Sequence, residues 1–278
     1  MSTASAGTAS VSTASVNVHI GRVEGCAASR ADDVLAVEEP LEIRLGYRSL
    51  SITMRTPGND FELAAGFLHS EGMIRDAGQI LSMGRPDDCG TDVVVVELEG
   101  NPPESAQPQR NFLMTSACGV CGKASLQDLA VNICPILPPD DIRLSPQTIH
   151  GLPDSLRKAQ SVFDSTGGLH AAARFSLQGE LESLREDIGR HNAVDKLVGA
   201  ALLGWRMPMS KSLLLVSGRA SFELVQKALV AGIPVMAAVG APSSLAVATA
   251  ARSGMTLIGF LKNGRFNVYT GSHRILGL

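Results

Sequence analysis

Apolar and polar positions alternate along residues 33–38, 41–45 and 50–55, and Gly46-Tyr47 separates the last two runs. A two-residue period predicts strands, here with a hairpin-like turn between them. Asn59 followed by Glu62 fits a capping arrangement for a helix from Asp60 to about Ser70, stopped by Gly72. Val93–Leu98 is an apolar strand, 100–110 is a proline-rich connector, and 125–133 has helical spacing. Ser145-Pro146 then opens a helix in the favoured cap-then-proline order. Beyond Leu169 the rhythm changes. Strands are predicted at 170–177, 181–185, 212–217, 234–239 and 255–261, and helices at 191–205, 221–231 and 243–253. Alternating strands and helices with short connections predict a layered α/β lobe with a largely parallel sheet. The chain divides on this reading into a disordered tail (1–30), a smaller α+β amino-terminal lobe (31–145) and an α/β lobe (146–278).

Composition narrows the class. The 278 residues are 45% hydrophobic and 18% charged, which suits a globular protein with a proper core. Aromatic residues make up only 4% and net charge is −3, so neither base stacking nor a basic surface favours nucleic acid as a partner. No stretch reaches the ~18 apolar residues of a membrane helix, so no membrane partner is expected. The amino-terminal residues lack a secretory pattern. Five cysteines, an odd number irregularly spaced, point to free thiols in a reducing compartment, hence a cytoplasmic location.

The chemistry concentrates in residues 115–123, where Cys118 and Cys121 stand two residues apart among glycines, with Lys123 close behind. A nearby positive charge favours the thiolate, and Gly119 and Gly122 leave the backbone free. Such a pair serves metal ligation, disulfide exchange or sulfur carriage as a persulfide. A structural zinc site would need a second pair, which the chain lacks; Cys134 and His150 match no usual spacing. His69-Ser-Glu71 with Cys118 and Cys121 satisfies the letters of a zinc deaminase, but Ala117 replaces the proline and His69 falls at a helix end. A thioredoxin-type motif would follow a first strand, not a mid-chain connector.

A second group of residues suits anions. Arg190 and His191 stand at a predicted helix start, where free N–H groups attract negative charge. The bland reading there is ordinary capping by Asn192, with Asp195 and Lys196 as solvated charges. Ser217, Gly218 and Arg219 repeat the strand–loop–helix device, and 241–244 forms a third loop at a strand's end. Such loops gather outside the carboxyl ends of strands in open α/β sheets, where ligands bind. Asn263-Gly264 marks a hairpin, with Lys262 and Arg265 flanking its tip.

Residues 40–43, 54–58, 118–126, 187–196, 217–223, 241–246 and 259–270 together closely resemble the FdhD family of formate dehydrogenase accessory sulfurtransferases. The resemblance runs from about Asp33 to the carboxyl terminus, leaving out the 100–110 connector. It implies a sulfurtransferase that takes sulfur from a cysteine desulfurase and delivers it to the molybdenum bis(molybdopterin guanine dinucleotide) cofactor for formate dehydrogenase. By the same resemblance Cys118 carries the persulfide beside Cys121, and Phe260, Leu261, Lys262, Asn263, Gly264 and Arg265 form a cofactor-binding stretch. The carboxyl-terminal lobe is expected to be cytidine deaminase-like without the zinc chemistry, with no permanently bound metal ion. Alternatives are a zinc-dependent deaminase-like enzyme and a non-catalytic cofactor chaperone. A homodimer is expected, because a cofactor with two nucleotide halves suits a twofold pair of lobes.

Overall fold

The computed structural model describes residues 14–86, 92–100 and 134–278. The cysteine motif and the helix expected at 125–133 lie outside the described residues. Two strands open the chain, β1 (Ser15–Glu24) and β2 (Ala27–Ala36), paired antiparallel as a separate ribbon. Residues 15–30, expected to be disordered, are therefore mostly strand. A run rich in Ser, Ala and Thr masked the alternation of Val16, Val18 and Ile20.

Next come β3 (Glu39–Leu45), β4 (Arg48–Arg55), α1 (Asp60–Ser70), β5 (Ile80–Gly84) and β6 (Val93–Leu98). They form a four-stranded sheet in the order β4-β3-β6-β5, with α1 laid across it. Leu41 and Ile43 of β3 meet Leu63, Ala64, Phe67 and Leu68 of α1 in one apolar cluster. Asn59 sits at the start of α1 but does not cap it. Its backbone is left-handed (φ 58°) and its side chain accepts no capping bond. The sequence also gave no sign of β5, whose side chains are half or fully exposed.

The remaining chain forms α2 (Pro146–Ala159), α3 (Ser161–Thr166), β7 (His170–Ser176), β8 (Leu181–Asp187), α4 (Arg190–Leu203), β9 (Ser212–Val216), α5 (Phe222–Val230), β10 (Val235–Ala238), α6 (Ser244–Arg252), β11 (Thr256–Lys262) and β12 (Arg265–Thr270). Ser145 caps α2 through the Thr148 N–H, with Pro146 at the first helical position. The six strands run in the order β12-β11-β10-β9-β7-β8. β9, β10 and β11 pair in parallel, while β7 and β12 are antiparallel to their neighbours. The sheet is thus mixed, not largely parallel, because the tight turns at 178–179 and 263–264 return the chain directly beside the strand just completed. Every residue of β9 is buried: Leu214 and Val216 face α4 and α5, while Leu213 and Leu215 face α2. Apolar cover on both faces explains a strand without alternation.

The two sheets are joined through helices. At the α1–α4 crossing a Cβ on Gly66 would stand 1.9 Å from the Asp195 carbonyl oxygen, and one on Gly199 would stand 1.8 Å from that of Glu62. Backbone therefore lies directly on backbone at this crossing. The cytidine deaminase-like description of the second half remains an expectation drawn from resemblance.

Candidate functional site

The carboxyl ends of β9 and β10 lie at one edge of the six-stranded sheet. Two antiparallel steps, β9 to β7 and β7 to β8, bring the start of β7 and the end of β8 to the same edge. Hydrogen bonds lace the loops there together. Gly240 N–H donates to Gly218 O (2.9 Å), Ala220 N–H to Ala241 O (3.1 Å), Ser243 N–H to Ala220 O (3.0 Å) and Phe260 N–H to Gly240 O (3.0 Å). The close layering requires glycine. A Cβ on Gly240 would meet Gly218 O at 3.0 Å, and one on Gly259 would meet Pro242 Cδ at 2.8 Å. Phe260, half-buried, adopts φ 54°, a conformation that costs a bulky side chain energy and that the surrounding loops must enforce.

The expected side-by-side loops are therefore present, forming a row from the α4 start, past the β9 and β10 loops, to the β11–β12 hairpin. The row crosses four strand spacings, about 19 Å. Arg219 is exposed within it. Ser217 is partly committed to the fold, its Oγ accepting from Ala171 N–H at 2.9 Å. Asn263 and Gly264 have φ of 52° and 69°, the geometry of a two-residue hairpin turn, and Lys262 pairs with Arg265 across it. All four turn residues are exposed. Leu261 is different: it is 1% exposed and its side chain belongs to the core.

At the other end of the row stands the first turn of α4. Arg190 is half-buried, and its Nε is enclosed without a hydrogen-bond partner among the described residues. His191 Nε2 lies 3.5 Å from Ser221 Oγ and 3.9 Å from Glu223 Oε2. Burial, reinforced by Arg190 and Lys227, lowers the His191 pKa from 6.5 to about 4, with Glu223 opposing. Its folded pKa lies below the unfolded one, so the ring is neutral at pH 7 and costs no stability there. Stability falls as pH drops from about 6.5 towards about 4, where the buried ring must charge. His170, whose pKa is likewise lowered by burial and then by Arg190, lines the row where a Cβ on Gly218 would approach to 3.4 Å. Sequence reasoning missed His170 and Glu223, because a strand's first residue and a helix's second carry no local mark of a shared site.

The rest of the 187–196 motif is structural. Asp187 is fully buried and accepts from Thr56 N–H (3.2 Å), Gly189 N–H (2.8 Å) and Asn192 Nδ2 (3.1 Å), while pairing with Lys196 Nζ at 2.7 Å. Lys196 also donates to Thr56 O (2.8 Å), and Asn192 to Met54 O (2.7 Å). Asp195 pairs with Lys227 at 2.7 Å and accepts from Ser70 Oγ at 2.9 Å. Asp195 and Lys196 are 3% and 1% exposed, so they are not solvated charges, and Asn192 caps no helix end. They stitch the helix to the first half of the chain. Beneath them lies a small cleft between β4, α1, α4 and α5, with room for about 40 Å³ and partly open to solvent; Thr53, Glu71, His191 and Glu223 are on its walls.

No cluster of three His, Cys, Asp or Glu among the described residues could hold a metal ion. His69 is buried in the last turn of α1 with Nδ1 3.3 Å from Ile74 O, and His150 packs against the Phe266 ring at 5.0 Å. Cys134 packs half-buried against the core beside α4–α6. Among the described residues no helix is long and apolar enough to cross a membrane.

Residues 36–276 match the FdhD/NarQ family. The chain belongs to this family. It is 54% identical over 265 residues to a protein of Streptomyces avermitilis named sulfur carrier protein FdhD, covering 91% of this chain and 93% of the relative. A protein of the same name from Mycobacterium tuberculosis is 51% identical, with 87% and 92% covered. A crystal structure described as that of a formate dehydrogenase accessory protein from Desulfotalea psychrophila superposes with a TM-score of 0.74 at 27% identity. The match covers 94% of this chain and 99% of that one. The family relationship holds at the level of sequence and of three-dimensional arrangement.

Proposed function

We propose that this chain is a sulfurtransferase serving formate dehydrogenase: it receives sulfur from a cysteine desulfurase as a persulfide on Cys118 and passes it to the molybdenum bis(molybdopterin guanine dinucleotide) cofactor. The observation that carries the reading is the near end-to-end similarity to proteins named sulfur carriers, at 54% identity over 91% of the chain, together with this chain's own Cys118–Cys121 pair. The chemistry is self-consistent. The Cys118 thiolate attacks the outer sulfur of the desulfurase persulfide, a new S–S bond forms on Cys118, and the desulfurase thiolate leaves, with no net oxidation. Attack by the Cys121 thiolate on Cys118 Sγ would then expel hydrosulfide and leave a Cys118–Cys121 disulfide, so the two electrons gained by the departing sulfur come from the thiol pair.

The molybdenum cofactor is a substrate on this reading, and the row of loops suits its phosphates. Glycine at 240 and 259 lets the loops layer closely on one another and so fixes the row. Arg190 supplies an enclosed guanidinium nitrogen with no described partner, and Arg219, Lys262 and Arg265 supply exposed charge. The hairpin stretch Phe260–Arg265 would hold one end of the cofactor and the α4 start the other.

Incubation with a desulfurase and cysteine should add the mass of one sulfur atom to Cys118, read by mass spectrometry of the intact chain and its peptides. Cys118→Ala should abolish the gain, and undiminished loading in that variant would overturn the assignment. For the acceptor site, GDP serves as a half-mimic and should bind more weakly as salt rises. Arg190→Ala should weaken it by about ten- to a hundredfold, the loss of a charged hydrogen bond of roughly 1.5–3 kcal/mol. Unchanged GDP affinity in Arg190→Ala would place the nucleotide elsewhere.

A further inference from the structure

Trp205 is the chain's one tryptophan, and it is 73% exposed. It follows α4, the helix whose first turn carries Arg190 and His191. The Arg206 N–H donates to Ala201 O (2.8 Å) and the Trp205 N–H to Leu202 O (3.0 Å), a pair of bonds that closes a helix around one left-handed residue. Trp205 is that residue, with φ 55°. Glycine is the usual occupant, because a β-carbon there crowds the backbone. The chain has a glycine one position earlier, at Gly204, and still sets its bulkiest side chain at the strained position.

Packing does not account for the choice. The tip of the indole lies against the Ala77–Gln79 turn, where a Cβ on Gly78 would stand 3.7 Å from Trp205 Cη2, but most of the ring faces solvent. Ala77, Leu203 and Met207, close to this contact along the chain, are half-buried and carry the apolar surface outward from the core. The surround is positive. Residues 73–79 and 203–211 hold three cations, the exposed Arg75, Arg206 and Lys211, against one carboxylate, Asp76, which caps the turn under the ring.

The place of this patch selects the occupant. The 14 residues of α4 carry the chain about 21 Å away from the row of loops, to the opposite edge of the sheet, where β9 begins. Leu137 N–H donates to Ser253 O (3.0 Å) just ahead of β11, and Cys134 packs into the same apolar cluster as Ala201 and Met207. The connector that carries Cys118 and Cys121 therefore rejoins the described fold at this edge. We propose that Trp205 is the anchor on which the cysteine desulfurase docks, its indole entering an apolar pocket rimmed by carboxylates on that protein. The proposal rests on the sulfur-carrier reading above, in which the donor must come within reach of Cys118. An exposed tryptophan beside arginine has the composition of an interface hot spot, and a strained backbone kept where glycine would relieve it points to function.

Incorporation of 5-fluorotryptophan gives the full chain a single fluorine label, at Trp205. Fluorine NMR should show one solvent-exposed resonance that shifts or broadens with an equimolar amount of the same organism's desulfurase, unlabelled, and recovers as salt rises. Trp205→Gly should weaken desulfurase binding, read by biolayer interferometry, by at least about thirtyfold. Trp205→Phe, which keeps an aromatic anchor, should stay within about tenfold of wild type, and Arg75→Glu/Arg206→Glu should lose about tenfold or more. Trp205→Gly should melt no lower than wild type, since glycine suits the left-handed position. A resonance indifferent to the desulfurase, or already shielded in the free chain, would overturn the proposal even where Cys118 is loaded with sulfur. So would wild-type affinity in Trp205→Gly, or a melting temperature below wild type that shows the indole serving the fold. A resonance that moves while Cys118 gains no sulfur would uphold the docking and remove the sulfur-carrier reading instead.

Discussion

Gly199→Ala is expected to destabilise the protein by at least about 3 kcal/mol, the upper range for overpacking, and to lower its melting temperature by roughly 6–12 °C. The new methyl would stand 1.8 Å from the Glu62 carbonyl oxygen, 2.7 Å from its carbon and 2.9 Å from Gly66 N. All three are backbone atoms, so no side-chain rotation relieves the clash. Helices α1 and α4 would have to separate by more than 1 Å (the gap between 1.8 Å and an ordinary contact). Separation would strain the Ser70–Asp195 hydrogen bond, which spans the crossing, and shifting α1 would strain the Arg185–Glu62 pair that ties it to β8. Alanine's better helix propensity, about 1 kcal/mol over glycine, is too small to offset this. Gly66→Ala should behave alike, its methyl meeting Asp195 O at 1.9 Å. Gly151→Ala in α2 is the control. Nothing lies within 4 Å of its added carbon, so it should be neutral or mildly stabilising. Thermal unfolding of the three variants decides the matter, and a Gly199→Ala protein melting with wild type would show that the helices can part freely.

That crossing also shows what the sequence conceals. Gly66 and Gly199 are 133 positions apart, and neither sits in a turn motif that would announce its purpose. Elements whose evidence is local were legible to within a residue or two. Ser145-Pro146 begins α2, Asn263-Gly264 makes the β11–β12 turn, and the strands and helices from His170 onward fall where the apolar runs place them. Strand direction was less legible, because sheet order depends on which edges meet and not on the pattern within any strand. The sheet accordingly proved mixed. The amino-terminal ribbon was lost to composition. Its alternating valines and isoleucine predict a half-buried strand, but their surroundings of serine, alanine and threonine resemble a tail.

The candidate site divides the same way. Loops at strand ends, with Gly218, Arg219 and the Lys262–Arg265 turn, could be placed because a strand followed by a glycine and a helix has one simple arrangement. His170 could not, since it reaches the row only through the antiparallel pairing of β7 with β9. The charged residues of the 187–196 motif misled in the opposite direction. Read locally, Asp195 and Lys196 are helix-surface charges. In the fold each finds a partner far along the chain or across a helix face, and burial follows from that pairing.

Lys227→Met should therefore cost about 3–5 kcal/mol, the price of leaving a buried charge without its partner. Lys227 donates to both oxygens of Asp195, at 2.7 and 2.8 Å, in a site where the residues are 7% and 3% exposed. Burial already raises the Asp195 pKa, and Lys227 is the main influence opposing it. Without the ammonium the carboxyl pKa rises further, and the folded state binds a proton more readily than the unfolded one. Stability of Lys227→Met should consequently increase relative to wild type as pH falls from 7 towards the unfolded carboxylate value near 4. Asp195→Asn added to Lys227→Met removes the stranded charge, keeps an acceptor for Ser70 Oγ, and should recover much of the loss at pH 7. Denaturant titrations at pH 5 and pH 7 on wild type, both single variants and the double variant form the cycle that isolates the pair. A double variant no more stable than Lys227→Met would mean that the lysine contributes through packing of its stem, not through its charge on Asp195.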